Sequence, residues 1–323
     1  MPRPDILLVG LGGTAGLRTA DDALAGSLRR AGASVAVARV HAAREPRTFA
    51  LTDLAWAVPA RRATRGALRR GSPRAIVYAT TTAALLWPEP GAIRFDAPAS
   101  ANRPGRHGIC QRPLERRRFA DAPLLLPCSA GALAHAPVPR GPAIVVPIPV
   151  AASGPGATAP RDIAAITYGA NPHKKGLDRV LAAWARARRP GETLVVAGVA
   201  GSDRDGVRFA GMVAPDAYRA LLRRARVFVT APRYEEYGLA QLEALADGCV
   251  LVTNAGPGPY AALPLAHALD ARLVGDDLAA GLRAALDDPV PDYFERARIA
   301  LGPFSPAAVD AVVAARMLPA LLA

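Results

Sequence analysis

The chain has 323 residues, 51% of them apolar and 21% charged, and a net charge of +13. That is enough for two domains, and it rules out a disordered or fibrous composition. There is no apolar run of the ~18 residues that a membrane-spanning helix needs. The three cysteines, Cys110, Cys128 and Cys249, are too scattered for a disulfide framework or a zinc site and fit a reducing cytoplasm.

The first element expected is a strand over 5–10, DILLVG, because the N-terminal apolar stretch is too short for a secretory signal. The loop after it carries Gly10, Gly12 and Gly13 but has Ala15 where a full dinucleotide fingerprint has its third glycine. The next strand (34–40) ends Val40-His41 without an acid, so no NAD is expected. Between them a helix over about 19–31 carries Leu24 and Leu28 on one face and stops at Gly32. Arginines 61, 62, 65, 69, 70 and 74, and then 112, 116, 117 and 118, have two equal readings. They are a solvated helix face, or a surface for an anionic membrane or substrate. No aromatics interleave them and no nucleic-acid-binding motif is present, so nucleic acid is not expected as a partner.

Further strands are expected at 75–80, 92–95, 124–127 and 143–148. Asp96 opens a polar loop and reads first as a turn aspartate, with a site role as the alternative. His107 reads as solvent-exposed and Ser129 as a helix cap. Residues 151–161, AASGPGATAPR, form the expected linker. The alternation then restarts with strands at 162–169, 193–198, 207–211, 227–231, 250–254 and 271–275. Helices are expected over 175–188, 216–225, 239–247, 277–288, 291–301 and 305–322. The pattern is α/β: two Rossmann-like domains facing each other across a cleft, 1–150 and 151–304. The D-x-D of Asp203 and Asp205 encloses Arg204 and reads as a loop, with no metal expected.

The segment PRYEEYGLAQLEALADG (232–248) carries the most chemistry. Glu235 falls on a loop, Gly238 where the chain turns into a helix at Leu239, and Glu243 about one turn inside it. Free N–H groups at such a helix start favour an anion, and the two carboxylates would accept hydroxyls on either side. A surface helix with acids near its positive end is the plainer reading. Upstream, NPHKKGLD (171–178) holds Lys174 and Lys175, the only lysines among 40 Lys and Arg residues. A compact, movable point charge is what separates lysine from arginine.

Glu235, Tyr237, Gly238, Glu243, Ala244, Ala246 and Gly248 resemble the Glu-x7-Glu signature of retaining GT-B glycosyltransferases, the family-4-like class (glycosyl transferases group 1). Lys175 and Gly176 are similar to that family's Lys-Gly pair, and the resemblance covers about 162–290. It implies a GT-B fold whose last helix, about 305–322, packs back on the first domain. It also implies transfer of a sugar from a nucleoside diphosphate sugar, with no cofactor and with retention of configuration. Glu235 would contact the transferred sugar, Glu243 the ribose, and Lys175 the diphosphate, helped by N–H groups near Gly238 and Leu239. Gly169 would line the donor site, Met212 and Val213 would lie near the base, and Asp96, Gly12 and Gly13 would face the cleft from the acceptor domain. The family's arginine is replaced by Ala170, with Lys174 the candidate substitute. The acceptor is a glycan, lipid or small molecule, and the expected location is the cytoplasm or the inner membrane face. A non-catalytic sugar-nucleotide- or glycan-binding protein is the alternative.

Overall fold

The computed structural model describes residues 3–13, 15–40, 49–103, 105–138, 140–154 and 160–323. Thr14, His41 and Pro104 lie outside the described residues, as does the middle of the expected linker, 155–159. The chain divides into two compact units, Met1–Pro149 with Pro306–Ala323, and Val150–Ser305.

The first unit runs β1 (Ile6–Leu11), α1 (Ala15–Arg30), β2 (Val35–Val40), α2 (Phe49–Arg70), β3 (Ala75–Tyr78) and α3 (Thr81–Ala84). It continues through β4 (Ala92–Phe95), α4 (Ala99–Asn102), α5 (Gln111–Asp121), β5 (Leu125–Pro127) and α6 (Ala130–His135). The sheet is parallel, in the order β2-β1-β3-β4-β5. All six residues of β1 are buried, and alternate ones serve opposite faces. Leu7 and Val9 pack with Ile93, Phe95 and Phe119. Ile6 and Leu8 pack with Leu24 and Leu28 and with Val309, Val313 and Met317 from the end of the chain. That last segment is α-helical over Pro306–Val312 and Leu318–Leu322 with a π turn, Val313–Met317, between. Pro319 has no N–H to continue a regular ladder through this point. The arginine run lies on α2, where Arg62, Arg65 and Arg69 are exposed. Leu51 and Val58 are exposed at matching helical spacing.

The strand expected over 143–148 is not formed. The segment runs extended beside β5 through Ile144 N–H to Leu125 O (2.9 Å) and Val146 N–H to Pro127 O (2.9 Å). Only Ala143 makes a bridge. Pro142 and Pro147 lack the N–H groups that a ladder requires.

The second unit runs β6 (Ile163–Tyr168), α7 (Leu177–Ala187), β7 (Leu194–Ala197), β8 (Val207–Gly211), α8 (Pro215–Arg224) and β9 (Ala225–Thr230). It ends with α9 (Leu239–Ala246), β10 (Val250–Thr253), α10 (Ala262–Leu269), α11 (Leu278–Asp287) and α12 (Tyr293–Ala300). This sheet is also parallel, in the order β10-β9-β6-β7-β8. The strand expected over 271–275 is instead a 3₁₀ turn, Ala271–Leu273, with a lone bridge from Val274 to Thr253. Asp270 accepts from Arg272 N–H at 3.0 Å and pairs with its guanidinium, and this local cap outcompetes an edge pairing. Among the described residues no helix is long and apolar enough to cross a membrane.

In the first unit, Glu115 of α5 is buried, and its Oε1 accepts from Ala99 N–H at 2.7 Å. Burial pushes its carboxyl up from 4.5 to about 7. The folded state therefore keeps a proton that the unfolded chain releases. The stability this group contributes is complete below pH 4.5 and is lost as pH rises through about 7. Glu115→Gln keeps the acceptor without the charge. Its stability relative to the parent should rise by ~2 kcal/mol between pH 5 and pH 8. Denaturant unfolding at the two pH values measures this, and an unchanged difference would contradict it.

Candidate functional site

In an open parallel sheet, ligands bind beyond the carboxyl ends of the strands, where the strand order reverses. In the second unit that point lies between β6 and β9. The loops leaving these two strands are residues 169–176 and 231–238, which carry Lys175 and Glu235.

The two loops are tied together by backbone and side chain. Arg233 N–H donates to Lys174 O at 2.9 Å. The Arg233 guanidinium donates to His173 O (2.7 Å) and to both carboxylate oxygens of Asp178 (2.8 and 2.6 Å). Lys175 Nζ reaches Glu235 Oε2 at 2.7 Å, and Lys174 Nζ pairs with the Glu236 carboxylate. The turn itself is shaped by Asn171, whose Oδ1 accepts from Lys174 N–H at 3.0 Å and whose carbonyl accepts from Lys175 N–H at 2.8 Å. Gly176 ends the turn at φ 63, with the space of a Cβ already taken by Ala231 O at 1.9 Å. Only glycine allows the lysine turn to lie so close to the end of β9.

Glu235 is 3% exposed. Its backbone is held by N–H donation to Pro257 O (3.0 Å) and by acceptance from Tyr260 N–H (3.3 Å). Gln241 Nε2 donates to Glu235 Oε2 at 3.0 Å and approaches Tyr260 Oη at 3.3 Å, and Tyr260 Oη lies 2.9 Å from Thr253 Oγ1. Burial pushes the Tyr260 phenol up, so it keeps its proton. This enclosed pair is supported by a second donor, since Glu235 Oε2 accepts from both the Lys175 ammonium and the Gln241 amide.

Gly238, at φ 85, hands the chain into α9 and offers no side-chain cap. The first N–H groups of α9 therefore have no helical acceptor and no side-chain cap from Gly238. Glu243 lies one turn further on, with its Oε1 3.6 Å from Arg219 Nη1, and Arg219 Nε is 2.5 Å from buried Asp247. Burial pushes the Glu243 carboxyl up, while Arg219 opposes it. The Tyr168 phenol at the end of β6 is raised by burial and by the Glu243 charge, and its ring stands 5.2 Å from that of Tyr218.

The structure thus brings Lys174, Lys175, Glu235, Gly238, Leu239 and Glu243 around the β6/β9 switch point. Gly169 starts the lysine loop, with its N–H on Ala197 O at 2.8 Å. Met212, 78% exposed, and Val213 follow edge strand β8, two strands from β6. Ala170 is exposed. Gly12, Gly13 and Asp96 belong to the other unit. Gly12 and Gly13 lie at that unit's own reversal, between β1 and β3, against Val40 O and the Trp56 ring. Asp96 follows β4, and its Oδ1 accepts from Ala97 N–H at 2.9 Å, as a turn aspartate does. Asp203 accepts from Phe209 N–H and Asp205 pairs with Arg188, and no cluster of metal-ligating side chains occurs among the described residues. Sequence reasoning missed Gln241, Tyr260, Arg219, Arg233 and Glu236. Glu236 alone left a signal, as the second acid of a Glu-Glu pair matching a Lys-Lys pair.

Residues 163–288 match the family model described as Glycosyl transferases group 1. A glycogen synthase of Mycobacterium tuberculosis is 35% identical over 134 residues, 36% of this chain and 32% of that protein. The match spans about a third of the length of the curated relatives. Sucrose-phosphate synthase from Thermosynechococcus elongatus superposes with a TM-score of 0.71 at 16% identity, covering 96% of each chain. Anabaena Alr3699/HepE, solved in complex with UDP and glucose, gives 0.69 at 15% identity over 98% of this chain and 99% of that one. At such identity the likeness is one of fold, and the fold is GT-B with two Rossmann-like domains.

Proposed function

We propose, from the premise that residues 163–288 form a group 1 glycosyl transferase domain, that the protein transfers a sugar from a nucleoside diphosphate donor to an acceptor hydroxyl with retention of configuration. The observation that carries this reading is the pairing of Lys175 with buried Glu235 at the β6/β9 switch point, beside the uncapped start of α9. Breaking the anomeric bond leaves negative charge on the departing diphosphate. A fixed ammonium and free helix N–H groups stabilise charge that grows in that step. Glu235 accepts from hydroxyls of the transferred sugar, and Glu243 from the ribose. Acceptor choice belongs to the first unit.

The similar HepE structure holds UDP and glucose, so uridine donors head the test. Calorimetric titration with UDP, GDP and dTDP should find one tight binder, and its sugar conjugates should be hydrolysed or transferred. Binding without turnover would identify a sugar-nucleotide-binding protein instead, and no binding at all would end the donor reading.

The exposed face of α2 favours a second, compatible reading, contact with an anionic lipid surface of the cytoplasmic leaflet. Leu51 and Val58 are followed along it by Arg62, Arg65 and Arg69. The protein should sediment with vesicles containing 30% phosphatidylserine in ~0.05 M salt and be released in ~0.5 M salt, where screening shortens to a few Å. Arg62→Glu/Arg65→Glu/Arg69→Glu should stay in the supernatant. Equal sedimentation of both proteins would remove α2 as the contact.

A further inference from the structure

Each of the two lysines in this chain is matched to one of two consecutive glutamates: Lys175 to Glu235, and Lys174 to Glu236. The pairs differ in setting. Glu235 is also held by Gln241 and by the backbone contacts of Pro257 and Tyr260, within a buried network. The Lys174–Glu236 pair stands further out, with the lysine side chain 35% exposed. Its main-chain atoms are nevertheless fixed, by Asn171 Oδ1 on Lys174 N–H and by Arg233 N–H on Lys174 O. The ammonium is carried by a flexible side chain on a fixed backbone. The charges of Lys174, Lys175, Glu235 and Glu236 cancel in pairs, so a diphosphate entering there meets two ammonium groups already engaged by carboxylates.

We propose that Glu236 is the resident counter-ion of Lys174, the candidate substitute for the arginine replaced by Ala170, and that the donor diphosphate displaces it. The inference rests on the nucleoside diphosphate reading above and goes beyond it. Glu236 sets donor affinity and discriminates by the number of phosphate groups. A diphosphate, with two phosphate groups to place, takes both lysines. A monophosphate is satisfied by Lys175 alone and leaves the Lys174–Glu236 pair closed. An ion pair of this partial exposure is weak enough to break on binding and strong enough to register in affinity.

The test is calorimetric titration of the wild type, Glu236→Gln, Lys174→Met and the double variant with UDP and UMP, substituting the base that the panel selects. Glu236→Gln should bind the diphosphate roughly three- to tenfold more tightly, with the monophosphate changed less than twofold. Lys174→Met should weaken the diphosphate alone, and the double variant should match Lys174→Met, because Glu236 acts only through that lysine. Glu236→Ala repeats the gain should the glutamine fail to fold. Unchanged or weaker diphosphate binding in both Glu236 variants overturns the inference, as does a gain that survives in the double variant. Those results leave the donor reading intact if the wild type binds diphosphate. Absence of diphosphate binding in every protein overturns both.

Discussion

Lys175→Ala is expected to lower kcat/KM for the donor by roughly 10³-fold and to weaken nucleoside diphosphate binding. Two effects add. The departing diphosphate loses the cation placed for it, and Glu235, 3% exposed, loses the ammonium that contacts its Oε2 at 2.7 Å. Leaving a buried carboxylate without its partner costs ~3–5 kcal/mol. Lys175→Arg should not restore turnover. The guanidinium is a rigid plane with fixed donor directions, whereas the Lys175 ammonium meets Glu235 Oε2 as a compact point charge at 2.7 Å. Steady-state kinetics with donor titration would read both variants. Wild-type turnover in Lys175→Arg would show that charge alone matters at this position.

Gly176→Ala is expected to be the most destabilising single methyl addition in this loop. At φ 63 a side chain is strained by ~1–3 kcal/mol, and the new Cβ would begin 1.9 Å from the Ala231 carbonyl, a backbone atom that cannot swing away. A loss of ~3–5 kcal/mol would lower the melting temperature by roughly 5 °C in a protein of this size. Gly191→Ala is the control, because Gly191 also has positive φ (85) but faces open space. It should cost only ~1 kcal/mol. Displacing Gly176 also displaces Lys175, so diphosphate binding should fall in Gly176→Ala and persist in Gly191→Ala. Equal melting temperatures for the two variants would mean that the lysine turn does not depend on its contact with β9.

Much of this site is legible in the linear sequence because its residues are close together in the chain. Glu235, Gly238 and Glu243 fall within nine residues, and a glycine before a helical apolar pattern marks where the loop becomes a helix. Lys174 and Lys175 stand out because lysine is otherwise absent. The partners were not legible for the opposite reason. Lys175 and Glu235 are sixty positions apart, as are Arg233 and His173, and pairing across that distance depends on β6 and β9 being neighbours. Gln241 shows no sign of its task in the sequence, since a glutamine on an amphipathic helix looks like any surface residue. The two strands that did not form, at 143–148 and 271–275, failed for local reasons, prolines in one and an Asp270 cap in the other.

The sequence by itself determined the alternation of apolar strands and helices, and hence two parallel α/β units. Burial of a strand on both faces requires a continuous apolar run, and that signal is local. It also determined which residues carry charge at the loop tips. Only the tertiary structure decided the strand order, β10-β9-β6-β7-β8, which makes neighbours of two loops far apart in the chain. Strand order depends on which sheet edges and helices bury the most surface together, a property of the whole unit that no short window of sequence contains. That order turned two adjacent lysines and two adjacent glutamates into facing ion pairs.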